Sequence, residues 1–298
     1  MTKQQRRVCF DFELEFTNGG GLKGHDFRLD IAGEDISDAE LIDYIVSDLR
    51  LLMVGPSRIL NKRIIVEPHK RKPEDAPAMK RGYVDLSHVI EDGLVTYPGL
   101  PAARICDYLS RERSREIYAP GTEFQIASIE MVVNTGTYID CPFHRYAHGK
   151  DLAEVAPEAF TDLESIVIRA DHHSVRAIDA SHFRDKELRD RAVLVHTGWD
   201  VHWTSPAYAV DHPFLTEDAA QYLRDCGVRL VGIDSMNIDD TRGKARPVHS
   251  ILLESDILIV EHLCNLSALP DEGFGFSAIP PKVRGAGTFP VRALATLR

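Results

Sequence analysis

Long hydrophobic runs are missing from this sequence: in 298 residues, no apolar stretch approaches the ~18 that cross a membrane as a helix. Positive charge is short as well. Lys and Arg number 35 against 46 Asp and Glu, a net charge of −11, which argues against a nucleic-acid footprint and against binding to anionic membranes. Cysteine is sparse and unpatterned. The five (Cys9, Cys106, Cys141, Cys226 and Cys264) are odd in number and none has Cys-x-x-Cys spacing, so they are expected as reduced thiols of a cytoplasmic protein. Met1 to Val8 is polar and basic with no apolar core after it, so no secretory leader is expected there. Internal repeats and low-complexity tracts are absent too. What is there, 44% apolar and 27% charged residues, is ordinary for a soluble globular chain long enough for two domains or one large one.

The N-terminal stretch reads as a small unit over residues 1–67, with a ββαβ pattern. Val8 to Phe16 alternates, with Phe10, Phe12, Leu14 and Phe16 on one face and Asp11, Glu13 and Glu15 on the other, which predicts a half-buried strand. Gly19-Gly20-Gly21 predicts a turn, and Phe27, Leu29 and Ile31 a second strand paired with the first. Ser37-Asp38-Ala39-Glu40 is a capping box opening a helix expected to run to about Met53, where Gly55-Pro56 stops it. Arg63 to Glu67 is a third, short strand. Residues 68–82, charged and interrupted by three prolines, are expected as a linker, and 83–298 as the main domain.

In the main domain, strands and helices alternate, which implies α/β layers. Phe124–Val133, Arg191–His196, Val228–Ile233 and Ile257–Val260 read as strands; Glu217–Cys226 and His249–Glu254 read as helices. Most informative is Asn134-Thr135-Gly136-Thr137-Tyr138-Ile139-Asp140-Cys141-Pro142-Phe143-His144. In an extended strand Asn134, Gly136, Tyr138 and Asp140 share one face, while Cys141 points to the other and into the fold. Pro142, with no backbone donor, ends the strand. Asp140 and His144 can then converge on one pocket at the mouth of a sheet. Asp234 and Asp239, at another strand end, are expected to hold loops by accepting from backbone amides.

This stretch resembles the motif His-x-Gly-Thr-His-x-Asp-x-Pro-x-His of the metal-dependent cyclase-like hydrolases, which include bacterial kynurenine formamidase and isatin hydrolase. Gly136, Thr137, Asp140, Pro142 and His144 match it; Asn134 and Tyr138 stand where the family has metal-binding histidines. Asp85-Leu86-Ser87-His88 and Tyr97-Pro98-Gly99 resemble the family's N-terminal signature, and His249 and Glu261 its later ligands, so the resemblance spans Tyr83 to the C-terminus.

The resemblance implies a compact β/β/α arrangement within the α/β class and a metal-dependent hydrolase of an amide-type C–N bond, in a formamide or cyclic amide. Carried over by residue, it makes Asp140, His249 and Glu261 the ligands of one divalent ion, zinc or manganese. An amide and a phenol are poor replacements for two imidazoles, so no second ion is expected. His144 becomes the general base and then the proton donor. Tyr138 and Asn134, freed from ligation, could donate hydrogen bonds to the developing oxyanion. Tyr97, Trp199 and Trp203 are candidate walls for a flat small-molecule substrate, with His212, in Asp211-His212-Pro213, lining the same pocket. The alternative is a non-catalytic binding or scaffold descendant with a partly lost metal site. A homodimer or larger homo-oligomer is expected, with no nucleic-acid and no membrane partner.

Overall fold

The computed structural model describes residues 4–31, 33–49, 51, 53–68 and 82–298. The chain divides into two compact units, Met1–Ala78 and Met79–Arg298. The linker expected over 68–82 falls almost wholly on residues 69–81, outside the described residues.

The first unit is an antiparallel sheet with Gln4–Phe16 at its centre, between Gly21–Asp30 and Val54–Pro68. Val8, Phe10, Phe12 and Leu14 bury one face against Leu41 and Ile45 of the helix Asp38–Asp48. Both halves of the Ser37/Glu40 capping box are formed. The helix ends before the glycine–proline pair, and Pro56 lies inside the third strand, which is much longer than expected. That strand is at the sheet edge, where a missing N–H costs no ladder bond.

The second unit is built on a nine-stranded mixed sheet, in the order Thr288–Pro290, Tyr138–Asp140, Leu258–Glu261, Leu230–Ile233, Ala192–His196, Leu163–Arg169, Glu272–Ile279, Arg292–Leu297, Tyr83–Asp85. The four strands from Leu258–Glu261 to Leu163–Arg169 are mutually parallel; the flanking strands are antiparallel. Alternate residues feed two cores. Val193, Val195, Val231, Ile233 and Ile259 pack with Ala219, Ala220 and Leu223 of the helix Glu217–Cys226 and Val248, Leu252 and Leu253 of the helix Pro247–Glu254. Leu194, Leu230, Val260, Ile139 and Cys141 pack on the opposite face with Phe274 and Phe276. Among the described residues, no helix is long and apolar enough to cross a membrane.

The segment expected as a strand running into the motif is different. Ile126–Glu130 is exposed throughout and pairs with Arg104–Leu109 in a separate two-stranded ribbon. The chain then turns at Gly136, whose φ of 68° is left-handed and where a Cβ would lie 2.8 Å from Ile90 Cγ1. Only Tyr138–Asp140 is strand, and Pro142–His144 follows as one 3-10 turn.

Candidate active site

Sheet register assembles the site. Tyr138–Asp140 lies between two antiparallel neighbours, with Tyr138 opposite Glu261 on one side and Asp140 opposite Thr288 on the other. Tyr138, Asp140 and Glu261 therefore share the face that carries the helical layer. The helix Pro247–Glu254 lies over that face and brings His249, its third residue, down onto the carboxylates. His249 Nε2 is 3.8 Å from Asp140 Oδ2 and 3.7 Å from Glu261 Oε1. Its Nδ1 is 2.6 Å from Asp239 Oδ2. A carboxylate can only accept, so Nδ1 carries the proton and Nε2 faces the two acids.

Asp239 thus does more than hold a loop. Its carboxylate accepts from the Val248 and His249 amides at the helix start and orients the imidazole. Asp234 accepts from the Thr197 and Gly198 amides, and burial lifts its pKa to about 7 despite those bonds.

His144 is at the mouth. Its Nδ1 is 2.8 Å from Thr288 Oγ1, whose own hydrogen goes to Asp140 Oδ1. The threonine oxygen must then accept from His144 Nδ1–H, leaving the lone pair on Nε2. Asp140 Oδ1, Thr288 and His144 form one relay. Thr288 was not singled out in the sequence, having no local motif around it.

Tyr138 is fully buried, and its hydroxyl donates to Glu261 Oε2 at 2.6 Å. Burial, reinforced by the Glu261 carboxylate, keeps the phenol pKa well above its usual 10. This corrects the expected oxyanion role: a phenol has one proton, and here it points at Glu261. Asn134 lines the cleft with its amide unengaged by protein among the described residues.

The donor set fits a divalent cation. Asp140 Oδ2 is buried with no hydrogen-bond partner, while facing His249 Nε2. Ligand atoms of Asp140, His144 and His249 lie within 4.8 Å of one another, and Glu261 Oε1 is next to the same imidazole nitrogen. Two buried carboxylates and an imidazole around one point leave an anionic excess that a cation relieves. Burial disfavours charge on His249, but its bonds to Asp140 and Asp239 and the charge of Glu261 outweigh that and raise it to about 10. Burial also raises Glu261.

The cleft above, about 450 Å³, is lined by Tyr97, Leu100, Asn134, Tyr138, His144, Arg145, Asn237, Lys244, Ala245, Arg246, His249 and Glu261. Tyr97 is thus on its wall, with its hydroxyl donating to Met236 O. Trp199, Trp203 and His212 are not on that wall. Trp199 donates its indole N–H to Tyr208 O and meets His172 and His202 edge-on. Trp203 stacks on His88 at 3.9 Å and lines a separate, mostly apolar cleft with Val95, Pro98 and Pro206. His212 is buried between Pro213 O and Thr241 Oγ1. Their rings found partners within loops and core, which a one-dimensional spacing does not reveal.

The chain resembles known proteins over most of its second unit. Residues 84–240 match the family described as "Putative cyclase". The chain is 27% identical over 216 residues to a kynurenine formamidase of Geobacillus thermodenitrificans, covering 72% of this chain and 97% of that enzyme. It is 24% identical over 214 residues to the kynurenine formamidase of Bacillus cereus, covering 71% and 96%. Among solved structures, isatin hydrolase A of Labrenzia aggregata bound to benzyl benzoate superposes with a TM-score of 0.63 at 20% identity, over 72% of this chain and 93% of that one. A structure described as a predicted metal-dependent hydrolase from Bacillus stearothermophilus does so with a TM-score of 0.56 at 26% identity, over 73% and 98%. With the family pattern matched across more than half of its length, and the same motif setting the acid and imidazole side by side, this chain belongs to the cyclase family.

Proposed function

We propose that the chain is a metal-dependent hydrolase of an amide-type C–N bond, in a formamide or a cyclic amide, holding one zinc or manganese ion through Asp140, His249 and Glu261. The observation that carries this is the buried, partnerless Asp140 Oδ2 facing His249 Nε2, beside Glu261. The curated relatives, aligned over nearly their whole length, are named for a formamide substrate. A divalent ion bound there would supply an acidified water and a Lewis acid for the amide carbonyl.

The chain's own residues do the rest. His144 Nε2 takes a proton as water adds to the carbonyl carbon, and returns it to the departing nitrogen as the C–N bond breaks. Thr288 holds the His144 ring in the tautomer this needs. Asn134 donates to the carbonyl oxygen as charge builds on it. Asp239 fixes the His249 ring and Tyr138 fixes Glu261, so neither reorients during turnover. The non-catalytic scaffold reading is not favoured, since acids, imidazoles and relay remain assembled over an open cleft of substrate size.

The same reading places the enzyme in the cytoplasm, on its free cysteines. It also makes it a homo-oligomer, because the ribbon and its flanks expose the large apolar side chains Tyr108, Ile117, Phe124 and Ile129.

Elemental analysis should find about one zinc or manganese ion per chain, and hydrolysis of an aryl formamide should stop on chelation and return with either ion. A metal-loaded protein that cleaves neither formamides nor cyclic amides would overturn the proposal.

A further inference from the structure

A second group of imidazoles gathers where two turns meet, and none of its members lines the catalytic cleft. Asp171, His172 and His173 stand in the turn that follows the strand Leu163–Arg169, and Trp199–His202 is the 3-10 turn that follows its parallel neighbour Ala192–His196. Backbone pairing continues past both strands: the Ala170 amide donates to His196 O and the His172 amide to Thr197 O. The two turns are thereby held side by side at the carboxyl ends of parallel strands, the end at which open α/β sheets bind their ligands.

One donor atom from each of Asp171, His172 and His173 lies within 4.8 Å of the others. The rings of His172 and His173 are 4.0 Å apart between centroids, and that of His202 is 5.8 Å from His172. His172 Nδ1 is 2.7 Å from Thr197 O; a carbonyl only accepts, so Nδ1 carries the proton and Nε2 keeps its lone pair. A ligating histidine is commonly held in this way, donating to a backbone carbonyl from one nitrogen and offering the other. The His172 side chain is only 11% exposed and meets Trp199 edge-on, so it is already fixed. Asp171 Oδ1 accepts from the His173 amide, and Oδ2 is unengaged among the described residues. The ring nitrogens of His173 and His202 likewise make no hydrogen bond among the described residues. Donor atoms around one ion stand roughly 3–3.5 Å apart, and the exposed side chains of Asp171 and His173 can close the remaining distance by rotation.

We propose that Asp171, His172, His173 and His202 form a second, peripheral metal site, taking a borderline divalent ion such as zinc or nickel between the two turns. Imidazoles select such ions over the harder manganese and magnesium. The site does not depend on the hydrolase reading. Being exposed, it gives up its ion on dialysis, whereas the buried ion at Asp140, His249 and Glu261 is kept.

The test titrates untagged, dialysed protein with nickel(II), followed by calorimetry and by tryptophan fluorescence. One ion beyond the tightly held one should bind, and emission should be quenched, because the Trp199 ring is 5.4 Å from that of His172 and 4.5 Å from that of His202. His173→Ala and His202→Ala should each weaken this event by about tenfold or more, with quenching lost in step. His173 is exposed, so its substitution leaves the fold intact. Absence of the additional heat, binding without quenching, or an affinity unchanged in both variants overturns the site, the last because it would mark adventitious binding to scattered surface histidines.

Discussion

Tyr138→Phe separates two roles for one of the two residues at which this chain departs from the family motif. The substitution removes one oxygen and keeps the ring, so packing of this fully buried side chain is preserved. What is lost is the 2.6 Å bond from the phenol to Glu261 Oε2. Glu261 is itself fully buried, and its other oxygen already accepts from the Ile238 amide at 2.7 Å. Among the described residues no second donor bonds Oε2, so a carboxylate oxygen is left bare in the interior. A hydrogen bond to a charged group is worth roughly 1.5–3 kcal/mol net. For a unit of this size, each kcal/mol moves Tm by about 2–4 °C, so the metal-free variant should melt roughly 3–12 °C lower. Metal content should not fall. Burial, with Glu261 next to it, holds the phenol protonated, and a protonated phenol is a weak ligand. Calorimetry on chelated protein and elemental analysis on the loaded protein read the two effects separately. Loss of the ion in Tyr138→Phe would make the phenol a ligand, and an unchanged Tm would deny the bond to Glu261; either result refutes the reasoning.

Two further outcomes follow from the same geometry. His144→Ala should lower turnover by about 10²–10⁴-fold, the usual contribution of general acid–base catalysis, with metal content kept; since a His144 nitrogen is within 4.8 Å of the Asp140 and His249 ligand atoms, metal loss in this variant would reassign it as a ligand. His88 supplies a pH test. Burial pulls its pKa from 6.5 down to about 4, against the opposing charge of Asp200. Between those values the unfolded chain binds the proton and the folded chain does not, so stability rises with pH and is lost as pH falls through the window. His88→Phe, which keeps the stack on Trp203, should flatten the slope of unfolding free energy between pH 4 and 6.5, and equal slopes in denaturant titrations would show that His88 is not held neutral.

Local chemistry was legible in the sequence wherever a neighbour along the chain sufficed. The capping box at Ser37 and the helix Glu217–Cys226 lie where the pattern put them, because a cap and an apolar stripe are made by residues three or four apart. The motif likewise marked Asp140 and His144, with Pro142 ending the strand between them. Periodicity says which face a residue is on but not which strand is beside it. Only the tertiary structure set Thr288–Pro290 and Leu258–Glu261 on either side of Tyr138–Asp140, strands more than a hundred residues away in the chain. That register, rather than any local signal, aims the Tyr138 hydroxyl at Glu261 and inserts Thr288 between Asp140 and His144. The same holds for the side chains that settled elsewhere: Trp199, Trp203 and His212 have the right chemistry for a substrate wall, but their rings are held by Tyr208, His88 and Thr241. Residue type and spacing determined what the site could be made of, and the order of strands across the sheet decided which side chains meet, because long-range pairing is chosen by the packing of whole faces and not by any one segment.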